Sequence, residues 1–151
     1  MYENLLKEAD ENGIITKEKK MNGHDGLWYD NRIAVHSSLT EKEKTCVLAE
    51  ELGHYNLTVG NVLDQSNVCN RKQEKKARIY AYNKLVGISG IIKAFEHNCL
   101  SLSEMAEYLD ITEEFLSDAI TYYQTKYDVY TKLDNYIIYF TPSLTVVKLF
   151  E

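Results

Sequence analysis

The stretch Cys46-Val-Leu-Ala-Glu-Glu-Leu-Gly-His-Tyr55 places three ionisable side chains at helical spacing. Glu50 and His54 are four residues apart and Glu51 and His54 are three apart, so all three project from one side of a helix. Burying an unpaired charge is costly, and ionisable groups on an otherwise apolar face normally form pairs or bind a metal ion. Gly53 costs a helix about 1 kcal/mol relative to alanine, which predicts the close approach of another element.

A second informative pattern lies on the next predicted helix, over residues 69–86. Ala77, Ala81 and Leu85 follow one another at four-residue steps and form an apolar stripe. Glu74 lies one turn before Ala77, at the head of that stripe, where a carboxylate is unusual. We therefore expect Glu74 to face the ionisable group on the preceding helix.

The motif on the first of these helices differs at one position from the zinc-protease signature H-E-x-x-H. In that signature two histidines bind Zn²⁺ and the intervening glutamate is the general base. Here the first position is Glu50, and a carboxylate oxygen is also a zinc ligand. A three-ligand site would then use Glu50, His54 and Glu74, with Glu51 as the general base.

The predicted metal centre differs in net charge from that of the H-E-x-x-H signature. One histidine and two carboxylates leave a dication with no net charge, whereas two histidines and one carboxylate leave one positive charge. A less positive centre acidifies its bound water less, so we expect slower hydrolysis at neutral pH than in an H-E-x-x-H relative. The harder ligands also make Mn²⁺ or Fe²⁺ more competitive with Zn²⁺.

The remaining patterns predict an α+β fold that is mostly helical, in a single domain over residues 1–151. Within it, residues 1–87 form the part with the metal site and residues 88–151 form a C-terminal part. Asp30-Asn31 tolerates the backbone of a tight turn and predicts a hairpin. The predicted helices cover 2–11, 41–58, 69–86, 88–98, 102–109 and 113–127, and the predicted strands cover 14–16, 27–29, 32–36, 136–140 and 144–150.

Composition excludes several classes of protein. The chain has 151 residues, 44% of them hydrophobic, and a formal net charge of −6. Such a charge disfavours nonspecific binding to nucleic acid or anionic membranes, and no apolar run approaches the roughly 20 residues that span a bilayer. The polar N-terminus lacks the pattern of a secretory signal, and the three cysteines are widely spaced. We therefore expect a cytoplasmic protein without a membrane partner.

Residues 102–120 have the spacing of a helix-turn-helix unit. The helix that would read DNA begins with Thr112-Glu113-Glu114 and continues through Asp118. Carboxylates at these positions are repelled by the phosphate backbone. We interpret the segment as a structural helical hairpin, and no direct nucleic-acid binding is expected.

Taken together, these motifs resemble the ImmA/IrrE family of small metallopeptidases, in its phage and mobile-element branch. The matching segments are Leu48-Ala-Glu-Glu-Leu-Gly-His-Tyr55 and Lys72-Gln-Glu-Lys-Lys-Ala-Arg78 with Ala81. Weaker matches are Gly26-Leu-Trp-Tyr29 before the helix and Ala106-Glu-Tyr-Leu109 after it. The resemblance covers nearly the whole chain.

The resemblance implies a small zincin-like fold and a cytosolic zinc-dependent endopeptidase in a bacterial host cell. Members of the family cleave a repressor that carries a helix-turn-helix domain, and so release phage or mobile-element genes. By position, Glu50, His54 and Glu74 take the ligand places and Glu51 takes the place of the base. This chain departs from the usual motif at Glu50.

Substrate binding is predicted only weakly. By analogy, an extended substrate strand would lie alongside the hairpin near Trp28 and Tyr29, and His36 would flank the groove. Two other functions stay open. The chain could be a weak or inactive relative that binds and sequesters a repressor, or a DNA-binding regulator acting through residues 102–120.

Overall fold

The structure is a computed structural model that describes residues 1–58 and 67–150, with the backbone alone for residues 58 and 67–70. Along these ranges one helix is followed by three strands, then five helices and then three further strands, and this separation of helices from strands confirms the α+β class. The helices are α1 (Tyr2–Glu11), α2 (Glu41–Thr58), α3 (Asn67–Leu85), α4 (Gly87–Glu96), α5 (Leu102–Leu109) and α6 (Glu113–Tyr127). The strands are β1 (Ile15–Lys19), β2 (Gly26–Tyr29), β3 (Arg32–His36), β4 (Tyr130–Leu133), β5 (Tyr136–Tyr139) and β6 (Thr145–Lys148). No helix within the described ranges has both the length and the apolar character needed to cross a membrane.

The first of two compact units, Met1–Lys84, contains a three-stranded sheet in the order β1-β3-β2. Strands β2 and β3 form the predicted hairpin, with Gly26 opposite Val35. Asp30 at its turn has φ 54°, the left-handed backbone that aspartate tolerates. Strand β1 pairs with β3 in parallel and extends beyond the predicted residues 14–16.

Helix α2 packs against α1, β2 and β3, and this packing fixes its position on the sheet. The helix begins as predicted, because the Thr40 hydroxyl accepts a hydrogen bond from the Glu43 backbone N–H at 3.3 Å. Its buried residues supply the apolar contact that stabilises this arrangement. They are Thr45, Cys46, Leu48, Ala49, Leu52 and Gly53.

A polar network joins three elements of this unit. The Tyr2 hydroxyl on α1 donates to Glu18 Oε1 on β1 at 2.8 Å. Lys44 Nζ on α2 donates to the other oxygen of the same carboxylate at 3.0 Å. The Glu18 carboxylate therefore holds both helices to one edge of the sheet, which leaves the opposite edge, β2, beside the C-terminal half of α2.

Gly53 is the point where α3 approaches α2, as its occurrence within a helix predicted. A Cβ atom at this position would lie 2.7 Å from the Ala77 carbonyl oxygen and 3.0 Å from its Cα. These are backbone atoms, so they cannot rotate away from an added methyl group. The buried side chains of Ala77, Ala81 and Leu85 form the predicted apolar stripe.

We predict that Gly53→Ala destabilises the protein by up to about 2 kcal/mol. Overpacking typically costs about 1–3 kcal/mol, which outweighs the roughly 1 kcal/mol gained in helix propensity. Gly90 in α4 is the matched control, because its added Cβ would meet only Leu109 Cδ2 at an ordinary 3.5 Å. Chemical denaturation should show opposite signs for the two variants, and a stabilised Gly53→Ala would contradict the close approach.

The second unit, Leu85–Glu151, contains α4, α5 and α6 and an antiparallel sheet in the order β4-β5-β6. Helices α5 and α6 pack on each other as the predicted helical hairpin. Ser101 and Thr112 cap them by accepting hydrogen bonds from the backbone N–H groups of Glu104 and Phe115. The sequence analysis predicts two late strands, whereas the structure has three, and the additional one is β4.

Candidate metal centre

His54 and Glu74 are brought together by the packing of α3 on α2. His54 Nε2 lies 3.2 Å from Glu74 Oε1. The His54 side chain is 14% exposed and that of Glu74 is 61% exposed, so the pair lies at the edge of the unit with one open side. The prediction that Glu74 faces the ionisable group on α2 agrees with this contact.

The distance between these two atoms suits a shared metal ion. Ligand atoms bound to a tetrahedral Zn²⁺ at about 2.0–2.2 Å lie roughly 3.3–3.6 Å from each other, so the observed distance is close to the lower limit of this range. A neutral imidazole nitrogen and a carboxylate oxygen are both ordinary ligands of Zn²⁺, and also of Mn²⁺ and Fe²⁺. The donor pair therefore fits a divalent cation.

A complete ligand set is not assembled in the described part of the chain. Over residues 1–58 and 67–150, no group of three His, Cys, Asp or Glu side chains is arranged to hold a metal ion. Glu50 lies close enough to Glu51 to act on its pKa, and it projects from the same helix as His54. Its role as the first ligand stays a prediction.

Glu51 is a half-buried carboxyl group next to this pair. Burial, followed by the negative charges of Glu74 and Glu50, raises the pKa of Glu51 to about 7. A carboxyl group with such a pKa can both accept and release a proton near neutral pH, which is what general acid–base chemistry requires. A cation bound nearby would favour the ionised form and lower this pKa.

We predict that Glu51 destabilises the folded, metal-free protein to an extent that depends on pH. The pKa of Glu51 is about 7 in the folded protein, whereas its ordinary value of 4.5 applies to the unfolded chain. The folded state therefore binds the proton more tightly. Stability is then lost as pH rises from about 4.5 through 7. Glu51→Gln should stabilise the metal-free protein by about 1–3 kcal/mol at pH 8 and have little effect at pH 4. Equal stabilisation at both values, measured by thermal unfolding in a chelator, would contradict the raised pKa.

Gly26 is a site residue that the sequence analysis did not single out. A Cβ on Gly26 would lie 2.5 Å from Val47 Cγ1 and 2.9 Å from Glu51 Oε1. Glycine therefore lets β2 approach α2 this closely, because an added Cβ would force the Val47 and Glu51 side chains to move. The available signal was a glycine at the start of a predicted strand, which often marks a close backbone approach.

The three weak substrate-binding candidates lie on different sides of the hairpin. Trp28 faces α2, and its indole ring stacks on the His54 ring with centroids 6.3 Å apart. Tyr29 is 81% exposed and lies on the opposite face of the sheet, since successive strand residues alternate. His36 also lies on that opposite face, and its Nδ1 accepts a hydrogen bond from the Ser38 backbone N–H at 3.1 Å. The structure thus brings Trp28, but not Tyr29 or His36, to the pair formed by His54 and Glu74.

In this α+β unit a half-buried carboxyl group and a histidine–carboxylate pair meet beside an edge strand, an arrangement expected of a small metallopeptidase. Comparison with known protein families matches residues 9–121 to Peptidase M78, described as the IrrE N-terminal-like domain. This match spans most of the chain, so the chain belongs to this family of metallopeptidases. Among curated proteins, none matches the chain. The resemblance to the ImmA/IrrE family is confirmed, and its phage and mobile-element branch stays a prediction.

Proposed function

We propose that this chain is a metal-dependent endopeptidase of the bacterial cytoplasm that cleaves a helix-turn-helix repressor of a phage or mobile element. The observation that carries the proposal is the 3.2 Å contact between His54 and Glu74 beside the half-buried carboxyl group of Glu51. Family membership supports the peptidase class, and the repressor is inferred from what the resemblance implies.

The residues divide into a ligand set and a base. His54 and Glu74, with Glu50 as the third ligand, would hold a divalent ion, for which Zn²⁺ is the first choice. Such an ion, when bound, polarises the scissile carbonyl and makes water more acidic. Glu51 accepts the proton of the attacking water and then donates it to the leaving amine. The raised pKa of the metal-free site indicates that the surroundings of Glu51 favour its protonated form, which suits the second of these steps.

The free edge of β2 offers a place for the substrate. Within the described part of its sheet β2 pairs only with β3, and Gly26 and Trp28 on its helix-facing side lie against Glu51 and His54. An extended peptide that adds to this edge would form backbone hydrogen bonds and pass beside the base. We propose this edge as the substrate cleft, which requires the target repressor to present an extended segment.

Glu50 provides a test of the electrostatics at the proposed centre. Glu50→His makes the metal site more positive and its water more acidic, so the rising limb of the pH–rate profile should move to lower pH by about 1 unit. The measurement compares kcat against pH for wild type and variant, each loaded with one equivalent of Zn²⁺. An unchanged profile would show that Glu50 is not a ligand.

The presence of glutamate at position 50 also favours a second candidate function, the sequestration of a repressor. If a carboxylate in the first ligand place weakens catalysis, the chain could control a repressor by binding and sequestering it. The test incubates the purified protein with a candidate helix-turn-helix repressor, with Zn²⁺ present or chelated. Cleavage that requires the metal and Glu51 supports the peptidase. A stable complex without cleavage supports sequestration, and salt-sensitive retention of DNA by the protein alone supports a regulator acting through residues 102–120.

A further inference from the structure

Side chains on one face of strand β2 contact side chains on one side of helix α2. Gly26 and Trp28 are two residues apart and share the half-buried side of the strand, whereas Leu27 between them is exposed. On α2, Glu51 and His54 are one turn apart and share a side. Gly26 lies against Glu51 and Trp28 lies against His54, so one short strand contacts both the proposed base and a proposed ligand.

The contact of Trp28 with His54 has the geometry of a stack. The two rings are 12° from parallel, with centroids 6.3 Å apart, which is an offset arrangement that aromatic pairs favour. An imidazole rotates about its bond to Cβ unless its faces are covered. Stacking on a flat indole restricts that rotation in an orientation where Nε2 lies 3.2 Å from Glu74 Oε1.

Trp28 is itself held in place. Its indole N–H donates a hydrogen bond to the Asp30 carbonyl oxygen in the hairpin turn at 2.9 Å. Across the hairpin it pairs with Ile33, which is buried on the central strand. The indole therefore forms a fixed surface for the histidine ring.

We infer that Trp28 is the positioning residue that holds the imidazole of His54 in the orientation for binding a metal ion. The inference rests on the proposed function, since it requires His54 to be a ligand. It assigns to Trp28 a role in preorganising the metal site, separate from any contact with substrate. Partners that orient a ligand in this way typically change metal affinity by about 10–100-fold when they are removed.

The experiment measures the Kd for Zn²⁺ by calorimetry and the visible spectrum of the Co²⁺-loaded protein. Trp28→Leu should weaken Zn²⁺ binding by about 10–100-fold and alter the Co²⁺ spectrum, because the ring is no longer oriented. Trp28→Phe keeps a flat face and should restore the affinity to within about threefold of wild type. Leu27→Ala, on the opposite face of the same strand, is the control for loss of packing and should leave the Kd and the spectrum unchanged.

Trp28 is the only tryptophan in the sequence, so its emission reports directly on the proposed contact. Emission should change when Zn²⁺ saturates the wild-type protein. Equal Kd values for wild type and Trp28→Leu, or no change in emission at saturation, would overturn the positioning role and leave the proposed function intact. A wild-type protein that binds neither Zn²⁺ nor Co²⁺ would overturn the proposed function and this inference with it.

Discussion

Replacing Glu51 by glutamine should lower kcat for peptide hydrolysis by about 10²–10⁴-fold, the usual contribution of a general acid–base group. Glutamine has nearly the same shape but cannot accept the proton of the attacking water. Its amide also fits beside Gly26, so the approach of β2 to α2 is preserved. The measurement compares the two proteins at equal metal content, with cleavage of the proposed repressor substrate as the readout.

Glu43→Gln is the matched control for this change, because it removes a carboxylate from the first turn of the same helix. Its kcat should stay close to that of wild type. Zn²⁺ content should be the same in all three proteins, since Glu51 is not a proposed ligand. A Glu51→Gln variant that retains full activity would contradict the role of Glu51 as the base.

The second large effect is expected at Glu74. Glu74→Ala removes the carboxylate that lies 3.2 Å from His54 Nε2 and should weaken Zn²⁺ binding by more than about 100-fold. Removing a residue that only orients a ligand typically lowers metal affinity by about 10–100-fold, and removing a ligand itself should lower it further. Competition with a chelator of known affinity provides the measurement.

Lys75→Ala tests whether the effect belongs to the carboxylate or to the surface of α3. Lys75 is the next residue and is exposed. Lys75→Ala removes a charge but leaves the proposed site unchanged, so the variant protein should bind Zn²⁺ as the wild type does. Equal Zn²⁺ affinity in the Glu74 and Lys75 variants would remove Glu74 from the ligand set.

Local sequence patterns predicted much of this arrangement for identifiable reasons. Capping residues determine where a helix begins, and α2 begins at the predicted residue 41, directly after the capping residue Thr40. Helical periodicity then placed Glu51 and His54 on one side. The apolar stripe after Glu74 indicated which side of α3 is buried, and so which way the Glu74 carboxylate points.

Contacts between distant segments were harder to predict. Strand β1 is Ile-Thr-Lys-Glu-Lys, which shows little apolar alternation, and its parallel pairing with β3 depends on residues far along the chain. Strand β4 is similarly polar, although Asp134-Asn135 after it repeats the Asp-Asn pair that predicted the first hairpin. The approach of Gly26 to Glu51 requires the packed structure, since no local pattern places these residues together.

The central claim is that His54 and Glu74 bind one divalent ion, and crystals grown with Zn²⁺ test it most directly. Anomalous scattering recorded on both sides of the zinc absorption edge locates the metal independently of any assumption about its ligands. We predict a single strong peak in contact with both His54 Nε2 and Glu74 Oε1, with Glu50 as the third protein ligand. A zinc peak elsewhere on the protein, or none at these two side chains, would contradict the account.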